Sequence, residues 1–149
     1  MRTHPRGQAV LYLALTLPVF VAMVGLAIDG ALLLTARREL QSVVDGAARA
    51  GATRLDMESL RGGVGTEIKL DHDRARVASL SYLDQSLAAD IAWQAPPTAR
   101  VDVGSVRVRV AVEGELRTAF LRVVGVDRVP VAATADADVQ YGIRGPGET

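Results

Sequence analysis

Cysteine is absent from the 149-residue chain, lysine occurs once, at Lys69, and histidine twice, at His4 and His72. Without cysteine there is no disulfide framework, no thiol nucleophile and no cysteine-ligated zinc site. Net charge is missing as well, since 17 basic residues balance 17 acidic ones. No basic patch stands out, so a nucleic-acid partner is not expected. Aromatic residues are only 4% of the chain against 49% hydrophobic residues in all, which leaves Val, Ala and Leu to build the core. Such small side chains favour close helix packing over a deep pocket, and neither a small-molecule substrate nor a cofactor is expected. A catalytic inventory is also wanting. Outside the N-terminal tail, His72 is the one imidazole available to a Ser-His-Asp set, and "RGGVG" at 61–65 lacks the strand before it and the lysine after it that a phosphate loop needs. "DHD" at 71–73 reads as a polar helix start, because adjacent side chains on a helix diverge and cannot chelate together. Asp136 and Asp138 share one face of a strand. Like charges on the solvated side of an edge strand are a commoner reason for that than a cation site. The expectation is a protein that is not an enzyme and holds no metal.

Charge is missing most conspicuously between Ala9 and Ile28, a run of twenty residues. That length crosses a hydrocarbon core of about 30 Å at about 1.5 Å per residue. Asp29 closes the run. Counted from Gln8 it lies roughly 32 Å along a helix, at the far interface of the bilayer, where headgroups and water can solvate a carboxylate. Arg2 and Arg6 precede the span with no acid among them, so the N-terminus is placed in the cytoplasm and the remainder outside. The competing reading is a cleaved secretory leader with a small-x-small site at Gly25-Leu26-Ala27. Against it stand the length of the apolar run and a helical pattern that continues past that site. Pro18 removes one backbone donor in mid-span and predicts a kink or a plain bend.

Beyond the membrane the helix is expected to continue to about Gly51. Leu33, Leu40, Val43, Val44 and Ala47 form its apolar stripe, opposite Arg38, Glu39, Asp45 and Arg49. Ala47, Ala48, Ala50, Gly51 and Ala52 permit close approach of another element. A second helix is read from about His72 to Ala92, N-capped by Asp71, with Val77, Leu80, Leu83, Leu87 and Ile91 as its apolar face. The period then changes to two. "VRVRVAV" at 106–112 and "VPVAATADADVQY" at 129–141 alternate as antiparallel strands, and Gly104-Ser105 turns or bulges between the first of these and Val101–Val103. Between the two long strands "RTAFLRVVG" reads as a short helix stopped by Gly125. The fold class is α+β: a long N-terminal helix whose first half crosses a membrane, a second helix and a small antiparallel sheet. The division is a basic cytoplasmic leader at 1–7, a transmembrane helix at 8–30, an extracytoplasmic domain at 31–142 and a loose tail at 143–149.

The stretches "RGQAVLYLALTLPVF" and "VGLAIDGALLLTARRELQSVVDGAARAGA" resemble the N-terminal region of the TadE/TadG-like family of tight-adherence (Flp) pilus assembly. The matching elements are Arg6-Gly7, Leu17-Pro18, Asp29-Gly30, Leu40-Gln41 and Asp45 to Ala52. The Val-rich alternation and "TAFLRVVGVDRVPVAATADADV" are similar to the family's C-terminal part. The resemblance implies a minor pilin or pseudopilin-like subunit with a small pilin-like α+β head. Such a subunit acts structurally in pilus assembly, initiation or anchoring, in the cytoplasmic membrane or in an extracellular pilus. Its partners would be other pilins and the assembly platform in the membrane. It also implies prepilin-peptidase processing between Gly7 and Gln8, although Tyr12 stands where processed members carry glutamate. Helix packing and assembly then fall to Pro18, Asp29, Gly30, Gln41, Asp45, Ala47 and Gly51, with Asp29 either paired to an arginine or an amide of a neighbouring subunit or solvated at the interface. The alternative from another class is a stand-alone membrane-tethered or secreted binding module.

Overall fold

The computed structural model describes residues 5–61, 68–87 and 93–139. One helix dominates. α1 runs without interruption from Pro5 to Ala52 and carries Pro18 inside it. Its 48 residues make a rod of about 72 Å at 1.5 Å per residue. Two helices follow it, and the second packs back on α1. A short helix, α2 (Met57–Arg61), is N-capped by Asp56, whose carboxylate accepts the amides of Glu58 and Ser59, both at 3.2 Å. The sequence reading did not anticipate it, because five residues are too few to show a helical period. The second helix, α3 (His72–Leu87), starts as expected, with Asp71 Oδ1 accepting the amide of Arg74 at 3.0 Å. The last five residues read into it, 88–92, lie outside the described residues, as do most of "RGGVG" and the tail from 140 onward.

Three strands complete the fold as an antiparallel sheet in the order β1 (Thr98–Val103), β2 (Arg107–Arg117), β3 (Arg128–Asp138). The alternation in sequence is the alternation in space. Val108, Val110, Val112 and Leu116 of β2 and Ala133 and Ala135 of β3 are buried, while the residues between them on the other face are mostly exposed. The buried face lies on α1 and α3. Leu40, Val44, Ala47 and Ala48 of α1 meet it with at most 1% of their surface exposed, as the apolar stripe required. The α+β class is therefore observed as read.

The buried face of α3 is only in part the one read from its large residues: Leu83 is buried and Leu87 packs against the core, but Val77 and Leu80 do not. Ala75, Ser79 and Leu83 face the core, whereas Val77 is 66% and Leu80 40% exposed. Close approach explains the difference. α3 crosses α1 where α1 offers Gly46 and Gly51, and a Cβ on either would overlap Tyr82 or Ser79. Gly46 makes room for the Tyr82 ring, and at Gly51 the approach is so close that small Ala75 and Ser79 are the residues that pack, so size overrode hydrophobicity there. Ser79 settles its hydroxyl there by donating to the carbonyl of Ala47 at 3.0 Å.

Candidate functional site: an anchor helix locked to its head

The two halves of α1 have opposite surroundings. From Val10 to Ile28 its large apolar side chains stand in the open, among them Tyr12, Phe20 and Met23 at 69%, 68% and 66% exposure. From Leu40 onward the same helix is the spine of the core. A core helix of a soluble protein would be covered on one side at least along its length. This one displays apolar surface all round over a length that fits a bilayer.

Between the halves lies Asp29, with only 2% of its surface exposed. Its carboxylate accepts three consecutive backbone amides of the β2–β3 connection: Ala119 at 3.0 Å on Oδ1, and Phe120 at 2.9 Å and Leu121 at 2.6 Å on Oδ2. These amides stand at the start of the 3-10 helix Leu121–Val124, where no carbonyl of that helix can accept them. An acid from elsewhere in the chain caps them with charge-assisted bonds. One turn back along α1, Gly25 is buried, and a Cβ there would come within 2.8 Å of Phe120 Cβ. Gly25 and Asp29 thus form a seat, the glycine admitting the loop and the carboxylate holding it. Gly125 closes the 3-10 helix in the left-handed conformation at φ 89°, the stop expected of it. Asp29 is therefore neither solvated nor waiting for a neighbour's amide, because its own chain supplies three. Gly25 and the 119–121 amides were missed in the sequence. Their signal was a glycine one helical turn before an isolated acid, which has no meaning until the loop is known to return there.

Gln41 and Asp45 are a second tie. Gln41 Nε2 donates to Asp45 Oδ1 and to the carbonyl of Thr134 on the edge strand β3, each at 3.1 Å. Ala47 and Gly51 sit in the seam with α3 already described. Gly7 and Gln8 lie at the start of α1, and Pro18 lies in its exposed half. Gly30 is different from Gly25, for a Cβ there would meet nothing within 4 Å. The fold of a single chain makes no use of its small size.

Asp136 and Asp138 do not stand as bare like charges on the edge strand. Arg109 and Arg107 of β2 lie directly across from them and bind them bidentately, Arg109 at 2.7 and 3.1 Å and Arg107 at 2.6 and 3.1 Å. Each aspartate is held below the ordinary carboxylate range, chiefly by the hydrogen bond from its arginine. Among the described residues no group of acids and histidines is arranged to hold a metal.

Residues 7–54 match the family model described as Flp pilus-assembly TadE/G-like. The resemblance read from the sequence is borne out over that segment. It coincides with α1 and the two residues beyond it, and so contains Asp29, Gln41, Asp45 and Gly51. The match supports a part in Flp pilus assembly, and the long apolar N-terminal helix fits a single-pass anchor. No curated protein and no solved structure matches the chain.

Proposed function

We propose that this chain is a membrane-anchored structural component of a tight-adherence Flp pilus, with its N-terminus in the cytoplasm and its α+β head outside. There it acts in assembly, initiation or anchoring, beside other pilins and the membrane platform. The observation that carries the reading is the single uninterrupted helix within the TadE/G-like match, bare and apolar in one half and core-forming in the other. Such a helix transmits position. A displacement of the anchor in the membrane or in a helix bundle moves the head as one body, because Asp29, Gln41 and the Leu40–Ala48 face all tie the two together. The Gly30 surface is available for a neighbouring subunit's helix.

Deleting the gene in its source bacterium is expected to abolish or shorten Flp pili on the cell surface, and a plasmid copy restores them. Unchanged piliation in the deletion strain would overturn the assembly role. N-terminal sequencing of the protein from membranes distinguishes the forms of anchor. A start at Met1 means an intact span, a start at Gln8 pilin-type processing, and a start at Ile28 a removed leader and a secreted head. The last would favour the free-standing binding module.

A further inference from the structure

The β2–β3 hairpin does more than close the sheet. It runs back along α1 toward the apolar half, with Thr134 level with Gln41 and residues 119–121 level with Asp29. Its connection then reaches Gly25, about 6 Å further along the helix. If α1 crosses the bilayer over residues 8–30, that level lies inside the outer leaflet. What the connection presents there is apolar: Phe120, Val123 and Val126 are 45%, 82% and 41% exposed, and Phe120 lies against Gly25 of α1. Arginines at 117, 122 and 128 punctuate the segment and are all exposed.

We propose that residues 118–126 are a second membrane-contacting element, a wedge that dips into the outer leaflet beside the anchor helix. Phe120 and Val123 enter the acyl region, while Arg117 and Arg122 meet lipid phosphates. This inference rests on the reading of 8–30 as a bilayer span. An irregular segment beside a span must keep its backbone at headgroup level and send only side chains into the acyl region, and it does so most readily where its backbone groups are already paired. Most of the amides of this segment are paired. Asp29 takes the amides of 119, 120 and 121, and within the segment Val123 donates to Phe120, Gly125 to Arg122 and Val126 to Leu121, at 3.0 to 3.1 Å. Thr118 donates its amide to Asp127 and its hydroxyl to the carbonyl of Val126. Apolar tips flanked by arginines on such a self-contained turn fit an interface of acyl chains and phosphates. Lipid is the occupant because the patch adjoins the span at a depth set by Gly25 and Asp29.

The absence of cysteine makes the test direct. Single-cysteine variants Val123→Cys, Val24→Cys and Val77→Cys of the full chain are labelled with an environment-sensitive fluorophore. They are reconstituted at low protein density in phosphatidylethanolamine–phosphatidylglycerol vesicles, with and without lipids bearing a quencher on the acyl chain. The proposal expects quenching and a blue shift at 123 and 24 and neither at 77. Quenching at 24 but not at 123 overturns the wedge and leaves the anchor standing. Absence of quenching at both 24 and 123 overturns the span itself and the wedge with it. A blue shift at 123 that depends on protein density and not on the quencher makes the patch a contact between copies and overturns the lipid assignment. Val123 is the most exposed of the apolar residues here, so its replacement does not disturb the fold.

Discussion

Replacing Asp29 by leucine keeps the helix and removes the acceptor that three successive amides share. The amides of Ala119, Phe120 and Leu121 cannot turn to one another, since they point the same way at the start of the 3-10 helix. A hydrogen bond to a charged acceptor shifts an opening equilibrium by roughly ten- to a hundredfold. The three do not add, because a loop that has let go exposes all three amides to water at once and the loss saturates. The expected result is therefore local undocking of residues 118–127 with the Leu40–Val110 core intact. Hydrogen exchange of the full chain in lipid nanodiscs reads it out: protection of amides 119–121 falls by roughly one to three orders of magnitude, while that of 108–112 is unchanged. Asp29→Asn, which keeps one oxygen but brings an NH2 group up against donors, falls between wild type and leucine. Wild-type protection at 119–121 in the leucine variant would refute the capping role. Equal loss throughout the sheet would show that the seat is not a local device but part of the cooperative core.

Other substitutions test the remaining links. Leu40→Ala empties a fully buried position between α1 and the sheet and is expected to destabilise the head by about 2–5 kcal/mol, seen as a lowered midpoint of thermal unfolding in detergent. Gly51→Val drives a side chain into Ser79 and the backbone carbonyl of Ala75, and an overpacking cost of about 1–3 kcal/mol or more is expected in the same assay. Gly30→Ala has open space around it and improves helix propensity, so unfolding is expected unchanged or slightly later; a loss of pili with that variant would mark Gly30 as a contact between subunits. The Asp136–Arg109 and Asp138–Arg107 pairs contribute while the aspartates are ionised. Their folded-state pKa values are depressed, so this contribution is complete above the unfolded value of about 3.9 and is lost as pH falls through the lower folded value. An Asp136→Asn, Asp138→Asn double variant should therefore differ from wild type at pH 6 and converge on it in strong acid, and a difference that persists there would contradict the linkage.

Legibility from sequence followed the range of the forces involved. The apolar half of α1, the helical stripe from Leu40 to Ala47, the cap at Asp71, the stop at Gly125 and the alternation of β2 and β3 are all local, set by a period or by one residue acting on its neighbours. The N-terminal family pattern was readable for the same reason, as it lies on a single helix. The misreading of α3 shows where local reasoning ends. Val77 and Leu80 are more hydrophobic than Ala75 and Ser79, and only the close approach at Gly51 makes the small pair the buried one. The aspartates of β3 lie on the solvated face of an edge strand as read, but their pairing was out of reach, since a cross-strand register is needed to set Arg107 and Arg109 opposite them.

Asp29 divides the two kinds of information. Composition and spacing alone determined that a helix with an apolar half ends its uncharged run at this carboxylate, because hydrophobicity and a rise per residue are properties of the chain itself. That the carboxylate closes on amides ninety residues away was decided by the sheet. Its hairpin carries the 118–127 loop back to Gly25, and a hydrogen bond exists only where folding brings donor and acceptor within roughly 3.2 Å of each other.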